Sequence, residues 1–359
     1  LMKTKLQSFE TYRGIAALMI AAIHFNVNSP LSNHIFANGL FVHFFFTLSG
    51  FVMQLNYGEK IISFEKIYIF LKKRFFRLYP LHILFFLIFL LIEIIKYYLE
   101  YNYGLKANNP AFSENNTTAI FANLLLLQTF LDYNSFNDPS WSISAEYFTY
   151  IFFAIILFFI PRNNLFIISL LFGILILRLK SNTPFGISFT YWSLIDCIYC
   201  YYFGVISCKL YLKYFQSSYY EKFYQLFTIV FLFISAISIA KLEGKNTILI
   251  PLIFGILLFF SANLKYENFL GKIICNKFLV YIGTISYSIY MSHLFIFWAI
   301  TQFMRFALKV STYIDEDGAV RLELSNLEAN VVVVISYTIT ILTSHFLYHF
   351  FERKFYKPS

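Results

Sequence analysis

Charge is what this chain has least of. Only 13% of its residues are Asp, Glu, Lys or Arg, against about 25% in ordinary globular chains. So few charges cannot wet the surface of a soluble fold, which excludes a soluble dinucleotide-binding enzyme and a disordered chain. Cysteine is scarce too, with four in 359 residues, and Cys197, Cys200 and Cys208 fall in one apolar segment. That excludes a secreted disulfide framework. The Cys197-x-x-Cys200 pair has no second ligand pair after it, so a zinc site is not expected. The chain also lacks a phosphate-binding glycine loop, a Gly-x-Ser-x-Gly elbow and a His-Glu-x-x-His helix. The usual ATPase and hydrolase readings go with them.

What the chain has is apolar mass. Hydrophobic residues make up 59%, Phe alone contributes 47 and Tyr 28, and the mean hydropathy is +0.64. A polytopic membrane protein is the class that remains. Stretches long enough to cross about 30 Å of hydrocarbon recur near 12–30, 38–57, 78–99, 140–160, 165–181, 189–210, 223–241, 247–263, 279–303 and 330–350. Runs such as Leu84–Ile95 do not alternate, so helices rather than barrel strands are expected. The expectation is an all-α protein of about ten transmembrane helices, one transmembrane domain over 1–359. The first apolar run is long and has no small-residue cleavage pattern, unlike a signal peptide.

The net charge of +9 is placed by topology rather than by a nucleic-acid partner. With both termini in the cytoplasm, 19 of the 28 Lys and Arg, Arg162 among them, fall on the cytoplasmic side, as the positive-inside rule requires. The acidic Asp315, Glu316, Asp317, Glu323 and Glu328 fall outside. The 123–131 stretch is apolar but too short to span, and is expected to be re-entrant or interfacial.

Ionisable residues at membrane depth are costly, so they are the candidates for chemistry. Arg13 and His24 are eleven residues apart. On a continuous helix that is three turns plus about 20°, with about 16 Å of rise, so both share one face. An interfacial arginine above a hydrogen-bonded core histidine would be the plain alternative. Arg74 and Arg77 share a face three residues apart, within the cluster Lys72–Arg77. Two guanidinium forks suit a phosphorylated cytosolic ligand; ordinary topology and lipid contact would also account for them. In Asp138-Pro139-Ser140-Trp141-Ser142-Ile143-Ser144-Ala145-Glu146, Ser142 and Glu146 lie on one face. Glu146 needs a partner, with His24 or an arginine as candidates, and Asp196 poses the same question in the sixth span. His43, His82, His293, His345 and His349 sit near span ends and His34 in a loop, where a solvated or capped ring is the default.

Together these segments resemble the acyltransferase 3 family, bacterial integral-membrane enzymes that modify surface polysaccharides. Phe9-Glu10-Thr11-Tyr12-Arg13-Gly14-Ile15-Ala16-Ala17-Leu18 is similar to the family's "LDGLRGIAAL" opening, with His24 completing its Arg-x10-His motif. Phe45–Phe51 resembles "FFVLSGF", and Arg74–Pro80 resembles "RRxxRIYP". Pro139–Phe148 is similar to "PxWSLSxExxF", and Gly283–His293 to "GxISYSLYLxH". The five segments occur in family order; Thr11-Tyr12 departs from the usual Gly-Leu. Some members carry a C-terminal SGNH hydrolase-like domain, and this chain looks like the stand-alone form.

The resemblance implies transfer of an acyl group, usually acetyl, from cytoplasmic acyl-CoA to a hydroxyl of a cell-surface or lipid-linked glycan, in the bacterial inner membrane. Arg74 and Arg77 would hold the CoA phosphates, with Arg13 helping to place the donor. His24 would be the general base and Glu146 would orient it or bind sugar. Trp141 and Ser142 are the expected substrate contacts, and no metal is implied. The competing class is a transporter or flippase of a polysaccharide intermediate. Internal repeats with matched broken helices would mark it, and the sequence shows no such repeat.

Overall fold

A computed structural model describes residues 6–32, 38–105, 107, 109–160, 163–181, 183, 185, 191–214, 221–264, 267–315 and 320–355. Arg162, Glu316, Asp317 and His34 lie outside them. The chain runs through α1 (Gln7–Ala22), α2 (Phe41–Tyr57), α3 (Phe64–Tyr103), α4 (Thr117–Leu124), α5 (Trp141–Phe159) and α6 (Asn164–Lys180). It continues through α7 (Tyr191–Tyr214), α8 (Glu221–Lys241), α9 (Ile250–Ser261), α10 (Phe269–Ile274), α11 (Lys277–Thr284), α12 (Ser286–Phe306) and α13 (Asn326–Leu347). A π-turn, Tyr348–Glu352, continues α13.

Among the described residues six helical segments are long and apolar enough to cross a membrane: α3, α7, α8, Asp138–Phe159, Gly244–Ser261 and Asn326–Phe355. A seventh exists if α11 and α12, bent by 67° at the break between them, form one broken span. The stretches expected as first, second and fifth spans are helices of 16, 17 and 17 residues, at the short limit for a bilayer.

Three local features depart from the expected spans. α1 stops at Ala22 instead of running on to 30, because the chain after it pairs with another element. The strands β1 (Thr312–Ile314) and β2 (Val320–Leu322) form a small antiparallel hairpin. Leu322 N donates to Asn26 O at 2.9 Å and Arg321 Nη1 to Phe25 O at 3.0 Å. α3 starts at Phe64 rather than 78 and runs 40 residues through the arginine cluster and Pro80. Ser63 caps its start by accepting from Lys66 N. The 123–131 stretch forms the end of α4 and a coil laced to its neighbours. His82 Nε2 donates to Asn123 O (2.8 Å), Thr129 Oγ1 to Trp141 O (2.7 Å) and Ser144 Oγ to Leu126 O (2.6 Å). This lacing fixes where α5 begins.

Two close approaches set the positions of α1 and α2. A Cβ on Gly50 would lie 1.8 Å from Tyr201 O, and one on Gly204 1.8 Å from Thr47 O, so α2 and α7 touch backbone to backbone. A Cβ on Gly283 would lie 1.8 Å from Glu10 O, which seats the arginine-bearing turn of α1 on α11. Around these contacts aromatic rings fill the core: Phe51, Phe70, Phe153, Tyr201 and Tyr202 are all essentially inaccessible.

Candidate active site

Arg13, Arg74, Arg77, Ser142 and Glu146 line one interior cavity between α1, α2, α3, α5 and α12. Periodicity explains the arginine pair: three residues apart on α3, both turn to the same side. Arg74 is buried at 5% exposure, with its guanidinium 5.6 Å from the Tyr57 ring. Arg13 Nη1 is 3.2 Å from Glu10 Oε2, one turn earlier on α1. Glu352 adds a buried carboxylate within electrostatic reach of Arg77 and Arg13, held by Ser288 Oγ at 2.7 Å. The positive charge of the cavity is thus offset by nearby carboxylates, as burial of guanidinium groups requires.

Glu146 has neither His24 nor an arginine as a hydrogen-bond partner in this arrangement. Its Oε1 accepts from Ser49 Oγ at 2.7 Å and from Tyr150 OH at 2.5 Å, and those two hydroxyls are 2.8 Å apart. Trp141 is buried beside Phe46, with ring centroids 6.2 Å apart. It is not among the residues that line the cavity, although Ser142, Ile143 and Phe46 are.

His24 sits in a second cluster. Since α1 ends at Ala22, His24 lies in the turn after the helix rather than on the face carrying Arg13. Its Nδ1 is 3.1 Å from Ile20 O and 3.2 Å from Nε2 of His293, and its Nε2 is 3.6 Å from Asp138 Oδ2. His293 is fully buried on α12, and its Nδ1 is 3.2 Å from Ile289 O. These contacts assign the tautomers through the hydrogen-bond network. A carbonyl only accepts, so neutral His293 carries its proton on Nδ1 and accepts at Nε2. His24 Nδ1 faces two acceptors and therefore carries a proton. The lone pair of neutral His24 is then at Nε2, on the side of Asp138. A proton taken up there makes an imidazolium beside a carboxylate.

Ser142 and Tyr290 join the two clusters. Tyr290 lines the cavity, its hydroxyl is 2.8 Å from Ser142 Oγ, and its ring centroid is 6.1 Å from that of His293. Pro139, whose carbonyl accepts from Tyr290 OH at 2.9 Å, is the neighbour of Asp138. Asn137 Nδ2 donates to Met291 O at 3.0 Å and ties that turn to α12.

Sequence reasoning nominated neither Asp138, His293, Tyr290 nor Glu352. The signal for the first three was present, since Asp138 opens and His293 closes two of the segments quoted above, and Tyr290 lies inside the latter. Asp196 answers its own question: it pairs with Arg178 at 2.9 Å, both side chains 1% exposed, between α6 and α7. The four cysteines are buried and free, and among the described residues no three His, Cys, Asp or Glu side chains cluster as metal ligands.

The structure is a helical membrane protein with three arginines around an interior cavity and a pair of histidines near it. A sequence model of the acyltransferase domain matches residues 6–349, nearly the whole chain, and the protein belongs to the acyltransferase 3 family. No curated protein and no solved structure matches it. Membership makes acyl transfer to an acceptor its reaction class.

Proposed function

We propose that the protein transfers an acyl group, acetyl in the expected case, from cytoplasmic acyl-CoA to a hydroxyl of a cell-surface or lipid-linked glycan. The observation that carries this reading is one cavity lined by Arg13, Arg74, Arg77, Ser142 and Glu146, which Ser142 and Tyr290 connect to His293, His24 and Asp138. Adding α1, α2 and α6 to the six long spans and the bent pair gives ten crossings. Both termini are then cytoplasmic in a bacterial inner membrane, the arginines lie toward the cytosol and His24 toward the opposite face.

In this reading the guanidinium forks of Arg74 and Arg77 grip the phosphates of the donor, and Arg13 completes the grip. The pantetheine arm lies along the apolar wall made by Phe45, Val52 and Leu78. The acceptor hydroxyl approaches His24 Nε2, which removes its proton as the oxygen attacks the thioester carbon. Asp138 steadies the imidazolium, which then returns the proton to the departing thiolate. Glu146, with Ser49 and Tyr150, shapes the cavity wall and contacts substrate there. Base catalysis of this kind contributes about 10²–10⁴ in rate.

The test is purified protein in liposomes, given acyl-CoA and candidate glycans, with release of free CoA thiol as the readout. Acceptor-dependent CoA release supports the reading. Flux of a glycan intermediate without any CoA release overturns it in favour of a transporter.

A further inference from the structure

Three oxygens meet where the arginine cavity approaches the histidine pair. Tyr290 OH is 2.8 Å from Ser142 Oγ and 2.9 Å from Pro139 O, and Ser142 Oγ is 3.0 Å from the same carbonyl. Ser142 and Tyr290 line the cavity, yet are only 4% and 6% exposed. On the far side of Tyr290 come His293 and then His24, whose ring centroids are 4.9 Å apart.

Three other hydroxyls of the cavity lining have partners of their own. Ser49 and Tyr150 hold Glu146, and Tyr287 donates to Leu78 O at 2.5 Å. The Tyr290–Ser142 triangle is the one that reaches the histidine pair, and its carbonyl has no hydrogen while its two hydroxyls have one each. Two hydrogens cannot serve three edges. One of them can turn to a new acceptor while the other keeps Pro139 O satisfied, so redirecting it leaves no buried carbonyl unpaired.

We infer that the Tyr290 hydroxyl donates to the thioester oxygen and holds the negative charge that develops on it, while Ser142 keeps Pro139 O satisfied, which makes Tyr290 a catalytic residue. The inference rests on the acyl-transfer reading and deepens it. The acceptor oxygen bonds to the acyl carbon as His24 takes its proton, and the carbonyl electron pair moves onto the oxygen facing Tyr290. When that pair returns, the carbon–sulfur bond breaks and the thiolate takes the proton from His24, leaving an ester and free CoA.

Tyr290→Phe keeps the ring that packs on Phe45 and His293 and removes only the hydroxyl. It is assayed for CoA release beside the wild type, with binding of CoA itself measured by titration. The expected result is a fall in kcat of about 10²–10³, the usual consequence of losing one oxyanion donor. The dissociation constant for CoA and the melting temperature should stay close to those of the wild type. Ser142→Thr and Ser142→Val, matched in size, give a second measure independent of the tyrosine. Thr should keep most of the activity and Val should lose it. Tyr290→Phe with at least half the wild-type kcat, or Thr and Val variants of equal activity, overturns the inference. A wild type that releases no CoA from any donor defeats the acyl-transfer reading itself, which is a separate outcome.

Discussion

The carboxylate beside His24 offers the sharpest quantitative test. Asp138→Asn keeps the shape of the side chain and removes its charge. With Oδ2 3.6 Å from Nε2, two unit charges attract by about 1.2 kcal/mol at the dielectric of water and by about 4.6 kcal/mol at an effective value of 20. The Asp138 side chain is 48% exposed and that of His24 19%, so solvent screens much of this and the lower part of the range applies. About 1–2 kcal/mol of stabilisation for the imidazolium remains, which predicts a kcat lower by about 5- to 30-fold. Donor affinity should not change, since the arginines are untouched. Asp138 also lies just before α5, and loss of a negative charge at a helix start costs about 0.3–1 kcal/mol of stability. A thermal melt separates that loss from the kinetic one. The assay is CoA release at saturating donor and acceptor, with the temperature kept well below the melt. An Asn variant with wild-type kcat would refute the pairing of Asp138 with a charged His24. A loss as deep as that of His24→Ala would refute its assignment as a supporting group.

Other substitutions test the remaining parts. Arg74→Lys and Arg77→Lys keep the charge but lose the two-pronged contact; the removal of one charge-assisted hydrogen bond, about 1.5–3 kcal/mol, should weaken donor binding at least about tenfold, as titration with CoA would show. His24→Ala and His24→Gln should both insert and bind donor yet lose about 10²–10⁴ in kcat, and substantial turnover by the Gln variant would remove His24 as base. Gly50→Ala places a methyl group against Tyr201 O and should cost at least about 1–3 kcal/mol, read as a lower melting temperature in detergent.

The class of the fold was legible because it depends on bulk composition. Scarce charge and long apolar runs leave few alternatives to a helical bundle, and the centres of the spans fell inside helices wherever a run was long and uniform, as in α3, α8 and α13. Ends were less legible, for reasons visible at particular residues. Nothing local stops α1 at Ala22; the stop comes from the hairpin strand at Leu322, about 300 residues away in sequence, which takes up the carbonyl of Asn26. The break between α11 and α12 is similar in kind. Gly283 lies against Glu10 O, a contact with a residue about 270 positions away in sequence, and the chain bends by 67° just after it.

The same distinction divides the site. Arg74, Arg77, Ser142 and Glu146 stand on uninterrupted helices, where spacing of three or four predicts a shared face, and the structure puts all four on one cavity. His24 and Asp138 stand where helices stop, and there periodicity has no purchase. An Arg-to-His distance of about 16 Å presumes a helix that the chain does not continue, so spacing alone could not find the carboxylate that His24 meets. Irregular backbone at membrane depth is tolerated only where protein or a cavity covers it. That rule turns the difficulty into a signal. In a membrane chain, the places where polar residues end or precede an apolar helix, such as His24–Ser29 and Asn137–Ser140, are where irregular backbone can border a cavity. A search of those breaks for ionisable side chains would have returned Asp138 alongside His24, before any coordinates were known.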